Sequence, residues 1–212
     1  MKKKSEITGL CIGWFAIITQ LFLMLQNRQI GIPEMIIRFF SFFTILTNIL
    51  VALYFTASAF NLKFIPFKWF YSKGAITAIT AFILIVGLVY QMALRDVWHP
   101  KGLQRIVDEL LHTIIPLYVL MYWCFNVSKN DLKIKPIFKW FLYPVLFIIF
   151  IMARGHFSGF YPYPFLDIPE IGYEKTFLNI SIVFITTLTM LTSLLLIGKT
   201  IIKKQKSNDY EN

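Results

Sequence analysis

Charge is scarce in this chain. Only 15% of its 212 residues are Asp, Glu, Lys or Arg, while 57% are hydrophobic. Soluble domains carry about 25% and about 45–50%, so a water-facing surface around one core is excluded. Cysteine is nearly missing: Cys11 and Cys124 are too few for a disulfide framework. Each lies in an apolar segment, where a small buried hydrophobe is the ordinary role. Histidine is confined to His99, His112 and His156. No His-Glu-x-x-His or paired Cys/His spacing occurs to support a metal site. No segment repeats at a fixed period, which argues against a transporter built from evident inverted repeats. No loop is long enough to fold alone, and no nucleic-acid-binding motif accompanies the net charge of +10.

What the chain has in excess is long apolar runs, with 22 Phe among them. A bilayer core needs about 20 mostly apolar residues per helix. Segments near 9–26, 36–60, 75–94, 105–125, 138–153 and 177–198 satisfy this. The fold expected is all-α: one domain over 1–212, a six-transmembrane-helix bundle. Pro144 is expected to kink the fifth span. The opening Met1-Lys2-Lys3-Lys4 and the apolar run behind it imitate a secretory signal, but Gln20 through Arg28 offer no small-x-small cleavage site, so this is read as a retained first span.

Basic residues set the expected orientation. If the N-terminus is cytoplasmic, the outer ends hold Arg28, Arg38, Arg95, Lys101, Arg105, Arg154 and Lys175. The remaining basic residues, the majority of the 21, are all Lys at the inner ends. Both termini are then cytoplasmic, and the positive charge suits anionic lipid headgroups on the inner face. Trp69, Tyr71, Trp98, Trp123 and Trp140 read as an interfacial aromatic belt.

Within this apolar frame His112 stands out. An ionisable group in hydrocarbon is costly and usually faces a bundle interior as part of a proton path, a metal site or a reaction centre. Span four runs inward, so His112 lies about 10 Å deep at 1.5 Å per residue. Span two runs the same way and carries Arg38, Ser41, Thr44, Thr47 and Asn48, whose spacing of three and four keeps them on one helix stripe. Thr44 should sit near the depth of His112. Asp108 and Glu109 lie one turn outward from His112, and Asp167, Glu170 and Glu174 fall in the last outer loop. Titratable groups thus collect in the outer third, and the inner half offers almost nothing but apolar residues.

The plain reading of Ser41, Thr44 and Thr47 is back-bonding to a carbonyl four residues earlier, or stitching of helices. Asn48 fits an interhelical hydrogen bond, and Arg38 and Arg154 fit snorkelling. The sharper reading is a hydroxyl nucleophile with an imidazole base. A Thr hydroxyl needs a base within hydrogen-bond reach. His112 supplies one, with Asp108 or Glu109 fixing its tautomer. Arg38, Arg154 or Asn48 would stabilise an oxyanion. A metal site built on Glu109-x-x-His112 with His99 or His156, and a non-catalytic binding or transport protein for a lipid or small acid, are the alternatives.

Three segments then carry a family resemblance: Phe42-Phe43-Thr44-Ile45-Leu46-Thr47-Asn48, His112-Thr113-Ile114-Ile115-Pro116, and Gly159-Phe160-Tyr161-Pro162-Tyr163-Pro164-Phe165-Leu166-Asp167. In these the chain resembles the androgen-induced protein family of six-span membrane proteins, which includes the androgen-dependent TFPI-regulating protein, and in particular its bacterial relatives. Animal members are threonine hydrolases that cleave fatty acid esters of hydroxy fatty acids. The resemblance implies Thr44 as nucleophile and His112 as base, with Thr47, one turn on, matching equally well. It further implies a lipid ester substrate, no cofactor, a multi-pass place in a bacterial plasma membrane, and a lid formed by Gly155 to Thr176.

Overall fold

A computed structural model describes residues 2–97 and 99–211, with the backbone alone for 206–211. Trp98 of the expected aromatic belt lies outside the described residues. Regular structure among the described residues is helical throughout. The α-helices are α1 (Lys2–Gln26), α2 (Ile32–Phe39), α3 (Phe43–Phe60), α4 (Ala75–Val89), α5 (Gly102–Glu109), α6 (Ile115–Asn126), α7 (Ile134–Trp140), α8 (Leu142–Ser158) and α9 (Ile168–Glu211). A π turn at Tyr90–Leu94 extends α4, and another at Leu110–Ile114 joins α5 to α6.

Six stretches are long and apolar enough to cross a membrane: Lys2–Gln26, Phe43–Phe60, Ala75–Leu94, Gly102–Asn126, Ile134–Ser158 and Ile168–Gln205. The chain is a polytopic membrane bundle. The spans match their expected positions within a few residues at most ends, with one difference of kind. The second does not run unbroken from 36. Its first part is the separate helix α2, and residues 40–42 leave the helical path before α3 begins. At the break Ser41 Oγ donates to the Ile37 carbonyl at 2.7 Å, its N–H bonds the Arg38 carbonyl three residues back, and Phe42 is extended. Pro144 acts as expected. The fifth span breaks at Phe141 between α7 and α8, and Pro144 falls in the first turn of α8, where its missing N–H costs little. The last span starts at a kink, Gly172, with φ of 82°.

Helix α4 is the centre of the bundle. In its span 72% of residues are buried, against 17% in that of α9, which faces outward along most of its length. Helix α1 packs closely on α3 because Gly9 and Gly13 are spaced four apart. A Cβ added at Gly9 would fall 2.6 Å from the Phe55 ring, and one at Gly13 would fall 3.1 Å from Ala52 Cβ. Close backbone approach through small residues is the main packing device between membrane helices, since lipid is as apolar as the side chains it replaces. The aromatic belt is only partly real. Trp69 is exposed, whereas Trp123 is fully buried and donates from Nε1 to Thr77 Oγ1 at 2.9 Å. Trp123 is a core residue, because α6 turns its last face inward on α4.

Candidate functional site

The break between α2 and α3 decides what Thr44 can do. Thr56, Thr80, Thr176 and Thr187 each donate to the carbonyl four residues back. Thr44 lies in the first turn of α3, and the residues before it are not helical, so it makes no such bond. Its hydroxyl shares a hydrogen bond with Tyr163, whose phenol oxygen also accepts the Phe43 N–H at 2.9 Å. Burial pushes the Tyr163 phenol above its ordinary range, with the Thr44 hydrogen bond pulling the other way. The first amides of α3 lack intrahelical acceptors, and those of Phe43 and Thr44 turn to the Tyr163 phenol oxygen.

His112 sits in the π turn at Leu110–Ile114. Pro116, four residues on, has no N–H for the His112 carbonyl and its ring crowds that carbonyl, so the helix widens there. The carbonyl faces Gly87 of α4, where an added Cβ would lie 2.9 Å from it. Imidazole Nδ1 lies 2.9 Å from the Asp108 carbonyl oxygen and 3.3 Å from Asp108 Oδ1. Both partners only accept, so Nδ1 carries a hydrogen and the lone pair of the neutral ring is on Nε2. Tyr90, at the start of the π turn that ends the α4 span, donates its hydroxyl to Asp108 Oδ2. Its ring also stacks on His112, with centroids 4.2 Å apart and planes 14° apart. The chain Tyr90–Asp108–His112 therefore joins two spans through two facing π turns. Asp108 is the carboxylate that meets the histidine. Glu109 binds Arg95 Nη2 at 2.6 Å and the Thr113 hydroxyl at 2.8 Å, on another face.

Thr44 and His112 both line a cavity of about 660 Å³, inside the usual range for small-molecule sites. Tyr90, Asp108, Arg38 and Tyr163 line it as well. Asn48 ties its two sides together. Its Nδ2 donates to the Thr44 carbonyl at 2.8 Å and to the Leu111 carbonyl, next to His112, at 3.3 Å. Asn48 is fully buried and is absent from the cavity wall, so its role is to hold α3 against the π turn.

The single polar stripe expected on span two is split three ways. Arg38 belongs to α2, Thr44 faces the cavity, and Thr47 points to α8, where its hydroxyl meets Tyr143 Oη at 2.9 Å. Arg154 does not reach the cavity wall. It and Arg38 both bind Glu34 Oε1, at 2.7 and 2.8 Å, and their guanidinium groups lie 4.8 and 4.2 Å from the Phe160 ring centre. Glu34 is held below its ordinary value, first by the Arg38 hydrogen bond. This clasp fastens α2 to the end of α8. The lid is shorter than expected, because residues 155–158 belong to α8 and 168–176 to α9. Pro162, Tyr163 and Pro164 of the linking segment form part of the cavity wall. His156 packs on Phe157 and His99 is exposed, both away from His112. Among the described residues no three His, Cys, Asp or Glu side chains are grouped to hold a metal ion.

Contrary to expectation, the opposite end of the bundle is polar too. Glu6 of α1 is buried, and its Oε1 accepts from Ser58 Oγ at 2.6 Å and from Tyr122 Oη at 2.9 Å. The Tyr71 hydroxyl donates to the Ala57 carbonyl nearby, and the Thr77 hydroxyl to the Asp131 carbonyl. Glu6 is easily passed over in sequence because it sits among Lys2, Lys3 and Lys4 and looks solvated. Its position four residues after Lys2, one turn into a 25-residue apolar helix, was the available signal.

No protein-family model, curated protein or solved structure matches the chain.

Proposed function

We propose that this protein is an intramembrane threonine hydrolase of lipid esters, with Thr44 as nucleophile and His112 as base. The observation that carries the reading is the shared cavity: Thr44, free of the usual backbone bond, and His112, with Nε2 unprotonated in its neutral form, both face it. The family resemblance points to the same pair. In this reaction Thr44 Oγ1 attacks the ester carbonyl and passes its proton to His112 Nε2. The Phe43 and Thr44 amides, which meet the Tyr163 oxygen in the free site, receive the developing oxyanion once the ester oxygen displaces it. The C–O bond to the alcohol breaks, and the proton on Nε2 goes to the departing alkoxide. A water, deprotonated by the same nitrogen, attacks the acyl-threonine and frees the acid and Thr44. Asp108 keeps the ring in the required tautomer, as the carboxylate of a Ser-His-Asp triad does. The lysine distribution supports an orientation with His112 near the outer leaflet and both termini cytoplasmic, in a bacterial plasma membrane.

The second reading is a binding or transport protein for a lipid or small acid. It draws on Arg28 and Arg38, which line the same cavity and could receive a carboxylate. A hydroxyl-directed fluorophosphonate separates the two. The hydrolase reading expects covalent labelling of Thr44 that is lost in Thr44→Ala and in His112→Ala but kept in Thr47→Val. Labelling that survives both of the first two changes rejects it. Saturable fatty-acid binding with neither labelling nor turnover favours the second reading.

A further inference from the structure

Thr44 faces two cavities. Besides the large one it shares with His112, it lines a second, apolar cleft of about 70 Å³ that lies between α4, α8 and α9. Thr44, Tyr163 and Leu94 belong to both walls, so the two spaces meet at the proposed nucleophile. The walls differ in chemistry. The cleft is lined by side chains such as Val86, Phe147, Ile148, Ile180 and Val183, and apart from Thr44 and Tyr163 its only hydroxyl is that of Thr187. The larger cavity has a polar rim that includes Gln20, Asn27, Arg28 and Gln104. His112 and Asp108 line the larger cavity alone.

That asymmetry orients a substrate. In ester cleavage the group that protonates the leaving oxygen must stand on the alcohol side of the carbonyl. His112 is on the large-cavity side, so the alcohol half must lie there, and the acyl half must leave Thr44 in the other direction. We infer that the cleft between α4, α8 and α9 is the acyl-chain subsite, and that the larger cavity receives the alcohol half with its polar substituents. The inference rests on the hydrolase reading for its direction. At about 70 Å³, under half of the roughly 150 Å³ that holds a benzene, the cleft takes the first few carbons of an acyl chain, and it suits them because burying methylenes there displaces water from a surface with few polar groups to satisfy. Phe184 of α9 lines the cleft, and its ring centre lies 5.5 Å from that of Phe141, the residue between α7 and α8.

The test fills the cleft from two helices. Val183→Trp on α9 and Ile148→Trp on α8 both occlude it, while Ile185→Trp lies on α9 off the cleft wall, at a position already 63% exposed, and controls for added bulk. Turnover of p-nitrophenyl acetate, butyrate and octanoate by the purified full chain gives an acyl-length profile. Val183→Trp and Ile148→Trp should lower the butyrate-to-acetate ratio of kcat/KM about tenfold or more, with the ratio of Ile185→Trp like the parent's. An unchanged ratio in both cleft variants, with Thr44-dependent acetate turnover intact, overturns the acyl subsite and leaves the hydrolase reading standing. Absence of Thr44-dependent turnover for every ester rejects the hydrolase reading instead. The cleft is then read by a pentanoate analogue carrying a diazirine near its end. Photolabelling of 144–148 and 180–184 that falls in Val183→Trp supports an alkyl-chain site, and labelling confined to other segments overturns it.

Discussion

The two ends of this bundle bury the same kind of group and treat it differently. At one end Asp108 binds Tyr90 and His112; at the other Glu6 binds Ser58 and Tyr122. Each carboxylate is removed from water and met by a tyrosine hydroxyl. Around Glu6 the other direct partner is a second hydroxyl, which is not a proton acceptor of useful strength near neutral pH, so the cluster ties α1, α3 and α6 together. Around Asp108 the partner is an imidazole with a free nitrogen on a cavity of about 660 Å³ that also contains Thr44. Burial of an acid inside a membrane is therefore not by itself a functional mark. On the hydrolase reading, what separates a stitch from a reaction centre is a titratable partner, a hydroxyl clear of the helix backbone and open space in one place.

The largest effects expected are on the Asp108 side. Thr44→Ala or His112→Ala should each lower ester turnover by about 10⁴-fold, with thermal stability in detergent little changed. A variant of either kind that keeps more than a tenth of the parent rate would place the two ends in the same class. Asp108→Asn should cost about 10²–10⁴-fold in kcat by releasing the Nδ1 tautomer. Tyr90→Phe, which keeps the stacked ring and removes only the donor to Asp108, should cost about tenfold. Equal losses in Asp108→Asn and Glu109→Gln would contradict the assignment of Asp108 as the orienting carboxylate.

On the Glu6 side the expected change is in stability. Glu6→Ala strands the Ser58 and Tyr122 hydroxyls and should destabilise the bundle by about 1–3 kcal/mol in a denaturant titration, with turnover of the folded fraction within about twofold. A turnover loss like that of Asp108→Asn would make Glu6 part of the chemistry. Thr47→Val breaks only the bond to Tyr143. It should cost about 0.6–1 kcal/mol, with turnover near the parent value, and so divides Thr47 from Thr44.

The smallest effect concerns the clasp. Glu34 is held below its ordinary value, so it stabilises the fold above the usual carboxylate range, and that contribution is lost as pH falls through the lowered value. The melting temperature should drop on acidification in the parent, and less steeply in Glu34→Gln. Parallel curves would show that Arg38 and Arg154 are held by Phe160 alone.

Much of this was readable in one dimension. Runs of apolar residues give helices that can cross a bilayer, because a membrane leaves few ways to satisfy backbone hydrogen bonds. Pro144 marked a helix break for the same kind of local reason. His112 was visible because an ionisable residue in such a run has no cheap explanation. Other features were not visible. Periodicity placed Arg38, Ser41, Thr44, Thr47 and Asn48 on one stripe, and the break at 40–42 between α2 and α3 undid it. Glu6 passed as a solvated residue among lysines, and Trp123 as an interfacial one. Tyr90 carried no signal, since tyrosines near span ends are common.

Local chemistry along the chain thus determined the six helices, the place of His112 within the fourth and the small set of hydroxyls that could partner it. Tertiary packing alone decided that Thr44 faces the cavity while Thr47 faces Tyr143, that Asp108 rather than Glu109 meets the imidazole, and that Glu6 and Trp123 are inside. The physical reason is that spacing along a helix specifies which residues share a face, whereas the partner of that face depends on where helices break and how closely they approach. Here those choices came from the break at 40–42, from Pro116 opposite Gly87, and from Gly9 and Gly13, features whose effect lies in the backbone and not in side-chain polarity.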